Sequence, residues 1–273
     1  LKFKKTDTMH VNIRRFCLTL VACLCMSGSV SAIVRNPMIW ADVPDPDVIR
    51  VGEYYYMVTT TMHLMPGAPI MRSKDFSNWE TIGYLFDRLT DSPKYDMEDG
   101  TVYGRGQWAT SLRYHKGTFY ALFAPNDNLG GDTYIMTAKD AAGPWKIHSR
   151  LRHFHDASLF FDDDDRVYVI YGTGEMCELT SDLQGVVPGS ECRIFQREAD
   201  ETGLLEGSRF IKHDGKYYLL LDEVQLLDCF ESVLNGYLRK ENMDVYVTGS
   251  NAKFLSKDII TEFAGRGDEI HMY

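Results

Sequence analysis

The chain has 273 residues, enough for one large domain or two modest ones, and its 44% hydrophobic and 25% charged residues form a folding rather than a disordered composition. Acids outnumber bases 39 to 29, and beyond residue 32 the imbalance steepens to 38 against 24, a net charge of −14. So acidic a body argues against nucleic acid as a partner, because phosphate binding needs clustered Lys and Arg; 12% aromatic content favours strands and suits flat apolar ligands.

Residues 1–32 read as a targeting segment that starts at Met9, with residues 1–8 upstream of it. Arg14-Arg15 supply a basic lead, Phe16 to Met26 an uncharged apolar run, and Val30 with Ala32 the small residues of a cleavage site. The run is too short to span a bilayer, so no membrane span is expected. A secreted or periplasmic protein follows, with a lipoprotein anchored at Cys23 as the alternative reading of Leu20-Val21-Ala22-Cys23. Cys177, Cys192 and Cys229 would then remain, an odd set without metal-type spacing. Either Cys177 pairs with Cys192 or the thiols stand alone.

Past residue 40 a turn followed by an aromatic strand recurs: Val51-Gly52-Glu53-Tyr54-Tyr55-Tyr56, His115-Lys116-Gly117-Thr118-Phe119-Tyr120, Asp164-Asp165-Arg166-Val167-Tyr168 and Lys212-His213-Asp214-Gly215-Lys216-Tyr217-Tyr218. Ser73-Lys74-Asp75 with Asn78-Trp79, and Ala138-Lys139-Asp140 with Pro144-Trp145, close the first two units. Short strands repeating at about 50–65 residues predict the blades of a β-propeller. A propeller brings the first strand of each blade to one axial funnel. Asp45, Asp156 and Glu206 stand at the heads of three units, so they are the acids that convergence would gather. Paired carboxylates suit glycosidic cleavage, one protonated and one ionised. Among 39 acids, three solvated surface groups are the competing reading.

The local words add to this. Asn36-Pro37, Asp42-Val43-Pro44-Asp45-Pro46-Asp47, Pro66-Gly67 and Gln107-Trp108-Ala109-Thr110-Ser111-Leu112 resemble glycoside hydrolase family 43 in order over residues 36–220, with Thr110 where the family writes proline. The resemblance implies a five-bladed, all-β propeller that hydrolyses arabinose- or xylose-containing plant-type glycans with inversion. It implies that Asp45 is the general base, Glu206 the proton donor and Asp156 the acid that orients the donor. The implied chemistry calls for no cofactor and no metal. Trp108 would offer the sugar an apolar face, or else pack a blade; His63 would bond a hydroxyl, or else a turn. The run Asp162-Asp163-Asp164-Asp165 reads as a solvated hairpin tip rather than a calcium site.

After Tyr218, near residue 220, the β pattern is expected to stop. Phe230, Val233, Leu234 and Leu238 share one helix face within Leu226 to Lys240, and Asp244 to Asn251 reads as a short buried strand. Tyr218-Leu219-Leu220-Leu221-Asp222-Glu223, Thr248-Gly249-Ser250-Asn251-Ala252-Lys253 and Gly265-Arg266-Gly267-Asp268 resemble a prokaryotic P-loop ATPase from its Walker B strand onward. That resemblance implies Asp222 on magnesium, Glu223 on water and Asn251 on a γ-phosphate. No Gly-x-x-x-x-Gly-Lys-Ser/Thr loop occurs in the sequence, so no ATP hydrolysis is expected. The organisation expected is a signal peptide at 1–32, an incomplete propeller at 33–220 stopping after the start of blade four, and a short α/β segment at 221–273 that is no independent domain and packs poorly or elsewhere. A glycosidase is then one reading; an inactive or carbohydrate-binding remnant is the other.

Overall fold

The computed structural model describes residues 36–127, 130–194, 206–222, 224 and 230–248. The targeting segment and the tail residues Glu223, Cys229, Asn251 and 265–270 lie outside the described residues. Strands β1 (Asp47–Val51), β2 (Tyr54–Val58), β3 (Gly67–Ser73) and β4 (Glu80–Phe86) form an antiparallel meander in chain order. The same meander recurs in β5 (Ser111–His115), β6 (Thr118–Phe123), β7 (Asp132–Ala138) and β8 (Lys146–Arg152). It recurs again in β9 (Ser158–Phe161), β10 (Val167–Tyr171), β11 (Glu175–Leu179) and β12 (Cys192–Arg193). These are propeller blades. The repeated turn words explain their hairpins: Lys116-Gly117 and Asp214-Gly215 all have positive φ, as the twist of a two-residue hairpin demands.

Blades pack through the strand period of two. On β6, Ala121 and Phe123 join the cluster shared with blade one, while Leu122 turns to the cluster shared with blade three. On β9 and β10, Leu159, Val167 and Val169 face blade two, and Phe160 and Ile170 face the fourth sheet. Gly83 permits one close approach, since a Cβ there would lie 2.6 Å from the Ala142 carbonyl oxygen of blade two. The inner strands are also tied by polar groups. Arg113 on β5 pairs with Asp47 on β1 at 2.8 Å and donates to Ser158 Oγ on β9 at 2.9 Å.

The fourth sheet starts as a blade and ends as something else. β13 (Arg209–His213) and β14 (Lys216–Leu221) are antiparallel, but the next strand, β15 (Met243–Val247), lies parallel to β14. A parallel neighbour needs a crossover, and helix α1 (Phe230–Tyr237) stands in it. The helix falls inside the predicted span with Phe230 and Leu234 buried. Three expectations are corrected. The β pattern runs on to Leu221, because Leu219 and Leu221 are both buried beneath the added strand and helix. The predicted buried strand is only partly covered: β15 is the last strand of its sheet and Tyr246 is exposed. The tail also joins the packing of the blades, since Phe230 and Leu234 share a cluster with Phe160, Ile170 and Phe210.

Two further readings are settled by geometry. Cys192 sits opposite Met176, so Cys177 points to the other sheet face; both thiols are free, and burial pushes that of Cys177 up to about 11. The acidic run is not a fully solvated tip, because Asp162 accepts hydrogen bonds from Lys212 Nζ at 2.6 Å and Tyr217 O–H at 2.7 Å. Asp163 pairs with Lys212 and Asp165 with Lys116.

Candidate active site

Asp45, Asp156 and Glu206 line one cavity of ≈ 250 Å³ together with Trp108. Each acid precedes the first strand of a different sheet: β1, β9 and β13. Asp45 adopts φ 47° between two prolines, and the backbone just before it is anchored by Thr60, whose amide donates to the Pro44 carbonyl at 3.0 Å. The Thr60 hydroxyl also donates to Asp45 Oδ2 at 3.0 Å, which fixes the carboxylate's orientation. Asp156, likewise at positive φ (45°), accepts the Gly207 amide on Oδ2, so it grips the residue that follows Glu206. Glu206 Oε1 lies 3.0 Å from His155 Nε2. The Glu206 side chain is 40% exposed, so it is only partly buried.

Trp108 is held by a bond from its Nε1–H to the Gly104 carbonyl at 3.2 Å and reaches the cavity wall. Beneath it, buried Gln107 bridges two loops: its Oε1 accepts the Thr61 amide at 2.8 Å, and its Nε2 donates to Thr110 Oγ1 at 2.7 Å. That bond gives Thr110 a local role in place of the family's proline. His63 is not among the cavity's lining residues; its Nδ1 accepts the Gly104 amide at 3.1 Å and its ring packs on Tyr103.

Sequence reasoning missed Asn126, His153 and His155, which also line the cavity. His155 stood in view beside Asp156, whereas His153 had no signal. Both ring nitrogens of His153 are buried without a partner among the described residues. Burial, and then repulsion from His155, lower its pKa, which keeps it neutral. A larger cleft of ≈ 630 Å³ lined by Asp91, Lys94, Arg105 and Asp127 holds none of the three acids, so its size does not make it the chemical site. Among the described residues no cluster of three or more His, Cys, Asp or Glu side chains is placed to hold a metal ion.

Residues 34–227 match the model of glycosyl hydrolases family 43. The chain belongs to that family. Residues 187–273 match a second model, that of an AAA domain, so the two matches overlap over residues 187–227, a stretch that holds β12, β13 and β14 and ends before α1. The family-43 part is 32% identical over 204 residues to a beta-xylosidase of Formosa agariphila, covering 68% of this chain and 33% of that protein. It is 33% identical over 204 residues to a non-reducing end alpha-L-arabinofuranosidase of Bacteroides ovatus, covering 69% and 36%. Among solved structures, a bifunctional GH43-CE protein of Bacteroides eggerthii superposes with a TM-score of 0.62 at 42% identity, over 68% of this chain and 25% of that one. The chain thus spans about a third of the length of the curated relatives it matches. The fold is the family's five-bladed propeller in part, with four sheets among the described residues.

Proposed function

We propose that this chain is an exported glycoside hydrolase that releases xylose or arabinose units from plant-type glycans with inversion at the anomeric carbon. The observation carrying this is the meeting of three acids from the heads of three sheets, with Trp108, in one sugar-sized cavity. In this reading Glu206 protonates the leaving oxygen while Asp45 takes a proton from a water on the opposite face of the ring. Inverting carboxyl pairs stand roughly 6.5–9.5 Å apart to admit that water. Asp156 orients the donor through the Gly207 amide. Xylosidase and arabinofuranosidase relatives support a pentose, and the Met9–Ala32 pattern supports export.

The test is hydrolysis of aryl β-xylosides and α-arabinofuranosides, with the anomer of the first-released sugar read by NMR. Inverted product is expected, and Asp45→Asn and Glu206→Gln are each expected to lower turnover by about 10²–10⁴-fold. Retained configuration, or full activity in both variants, defeats the reading. Parallel β15 favours a second reading, a pentose-binding remnant, because it replaces the meander strand that would follow β14. Sugar binding with intact affinity but no release by the native chain is the outcome that selects it.

A further inference from the structure

His155 and Asp156 are consecutive residues just ahead of β9, and both side chains reach across to the segment before β13. Asp156 takes the backbone of that segment and His155 takes the side chain. The His155 backbone is itself fixed, since its carbonyl accepts the Gly172 amide at 2.8 Å. Glu206 precedes its own strand by three residues, so its carboxyl gets its placement from the neighbouring blade.

We infer that His155 is a positioning residue that orients the Glu206 carboxyl for proton delivery. The inference rests on the glycosidase reading above and deepens it. The contact engages one oxygen, Oε1, at 3.0 Å. When Nε2–H donates to Oε1, the transferable proton belongs on Oε2, and among the described residues no hydrogen bond is made by Oε2. The imidazole therefore decides which oxygen carries the proton and stops the carboxyl from turning. Without it, a side chain 40% exposed would sample several rotamers. Misplacing a catalytic group by about 1 Å costs on the order of a hundredfold in rate, so an anchor of this kind matters. The imidazole itself touches neither base nor water in this scheme.

A positioning role for the acid leaves a signature in leaving-group dependence. A phenyl pentoside needs the acid's proton; a 2,4-dinitrophenyl pentoside departs as a stable anion and does not. In the full chain, His155→Leu is expected to lower kcat for the phenyl substrate by about tenfold to a hundredfold with KM within twofold, while the dinitrophenyl substrate is cleaved at close to the native rate. His155→Gln, which keeps an N–H donor, restores part of the loss. As an activity-independent readout, the imidazole ¹⁵N resonance of His155 is expected to move in Glu206→Leu. Equal slowing of both substrates, no slowing of either, or an unmoved His155 resonance overturns the inference while the glycosidase reading stands. A native chain that cleaves neither pentoside removes that reading and this inference with it.

Discussion

Asp45 and Asp156 share a backbone that is uncommon outside glycine: each has φ near +45°, a region in which Asp and Asn are enriched. Such strain gathers at functional sites and persists where neighbours hold it, here Thr60 for Asp45 and the Gly207 amide for Asp156. Both acids were legible in the sequence because they sit at unit heads in distinctive words. Asp47, two residues beyond Asp45, reads equally well there, and only the fold reveals it as the partner of Arg113. His153 was illegible, since nothing in sequence announces an imidazole with both nitrogens buried and unpartnered. It carries a prediction. Its folded pKa lies below the ordinary 6.5, so the unfolded chain binds a proton that the folded chain resists. Its contribution is therefore constant above about pH 6.5 and turns destabilising as pH falls below that value. Urea midpoints at pH 7.5 and 5.5 are expected to fall more in the native chain than in His153→Phe, which cannot take up the proton. Equal falls in both sink the assignment.

At the scale of elements, alternation along β6, β7, β9 and β10 makes blades two and three two-faced slabs, and the aromatic words announce it. Helix α1 was equally legible from its apolar spacing. Its shortness, and the parallel docking of β15, were not, because pairing partners are set by tertiary contacts that a local period does not encode. Between blade three and the fourth sheet, Asp162 is one of the polar ties. Burial by itself would raise its pKa, but hydrogen bonds from Lys212 and Tyr217 outweigh burial and hold it below the ordinary 3.8. The stability this contributes is fully present above pH 3.8 and is lost as pH falls through the lowered value. Asp162→Asn is thus expected to be less stable than the native chain at pH 6, with a shallower loss of melting temperature between pH 4 and 2. A parallel loss in both proteins would show that the tie does not titrate.

At the scale of the molecule, the core is a series of three apolar clusters, each lying between neighbouring sheets. The first joins blades one and two; the last joins blade three, β13, β14, α1 and β15, and the first and last have no buried residue in common. Stability in such a stack is close to a sum of nearest-neighbour terms, so damage at one end should fade along the series. Leu234, 6% exposed on α1, is the place to test this. Leu234→Ala removes buried methyl groups and opens a cavity, a change worth about 2–4 kcal/mol. Were the tail a passenger on the propeller, that loss would stay within α1 and β15. Because Leu234 packs in the same cluster as Phe160 on β9 and Leu219 on β14, the loss should instead reach blade three. Amide exchange read by mass spectrometry is expected to quicken in β13, β14 and β9, with β2, β3 and β6 unchanged. Faster exchange confined to residues 230–248 would make the α/β segment a separate unit after all. Uniform acceleration through β2 and β6 would mean that the sheets unfold as one body rather than as neighbours.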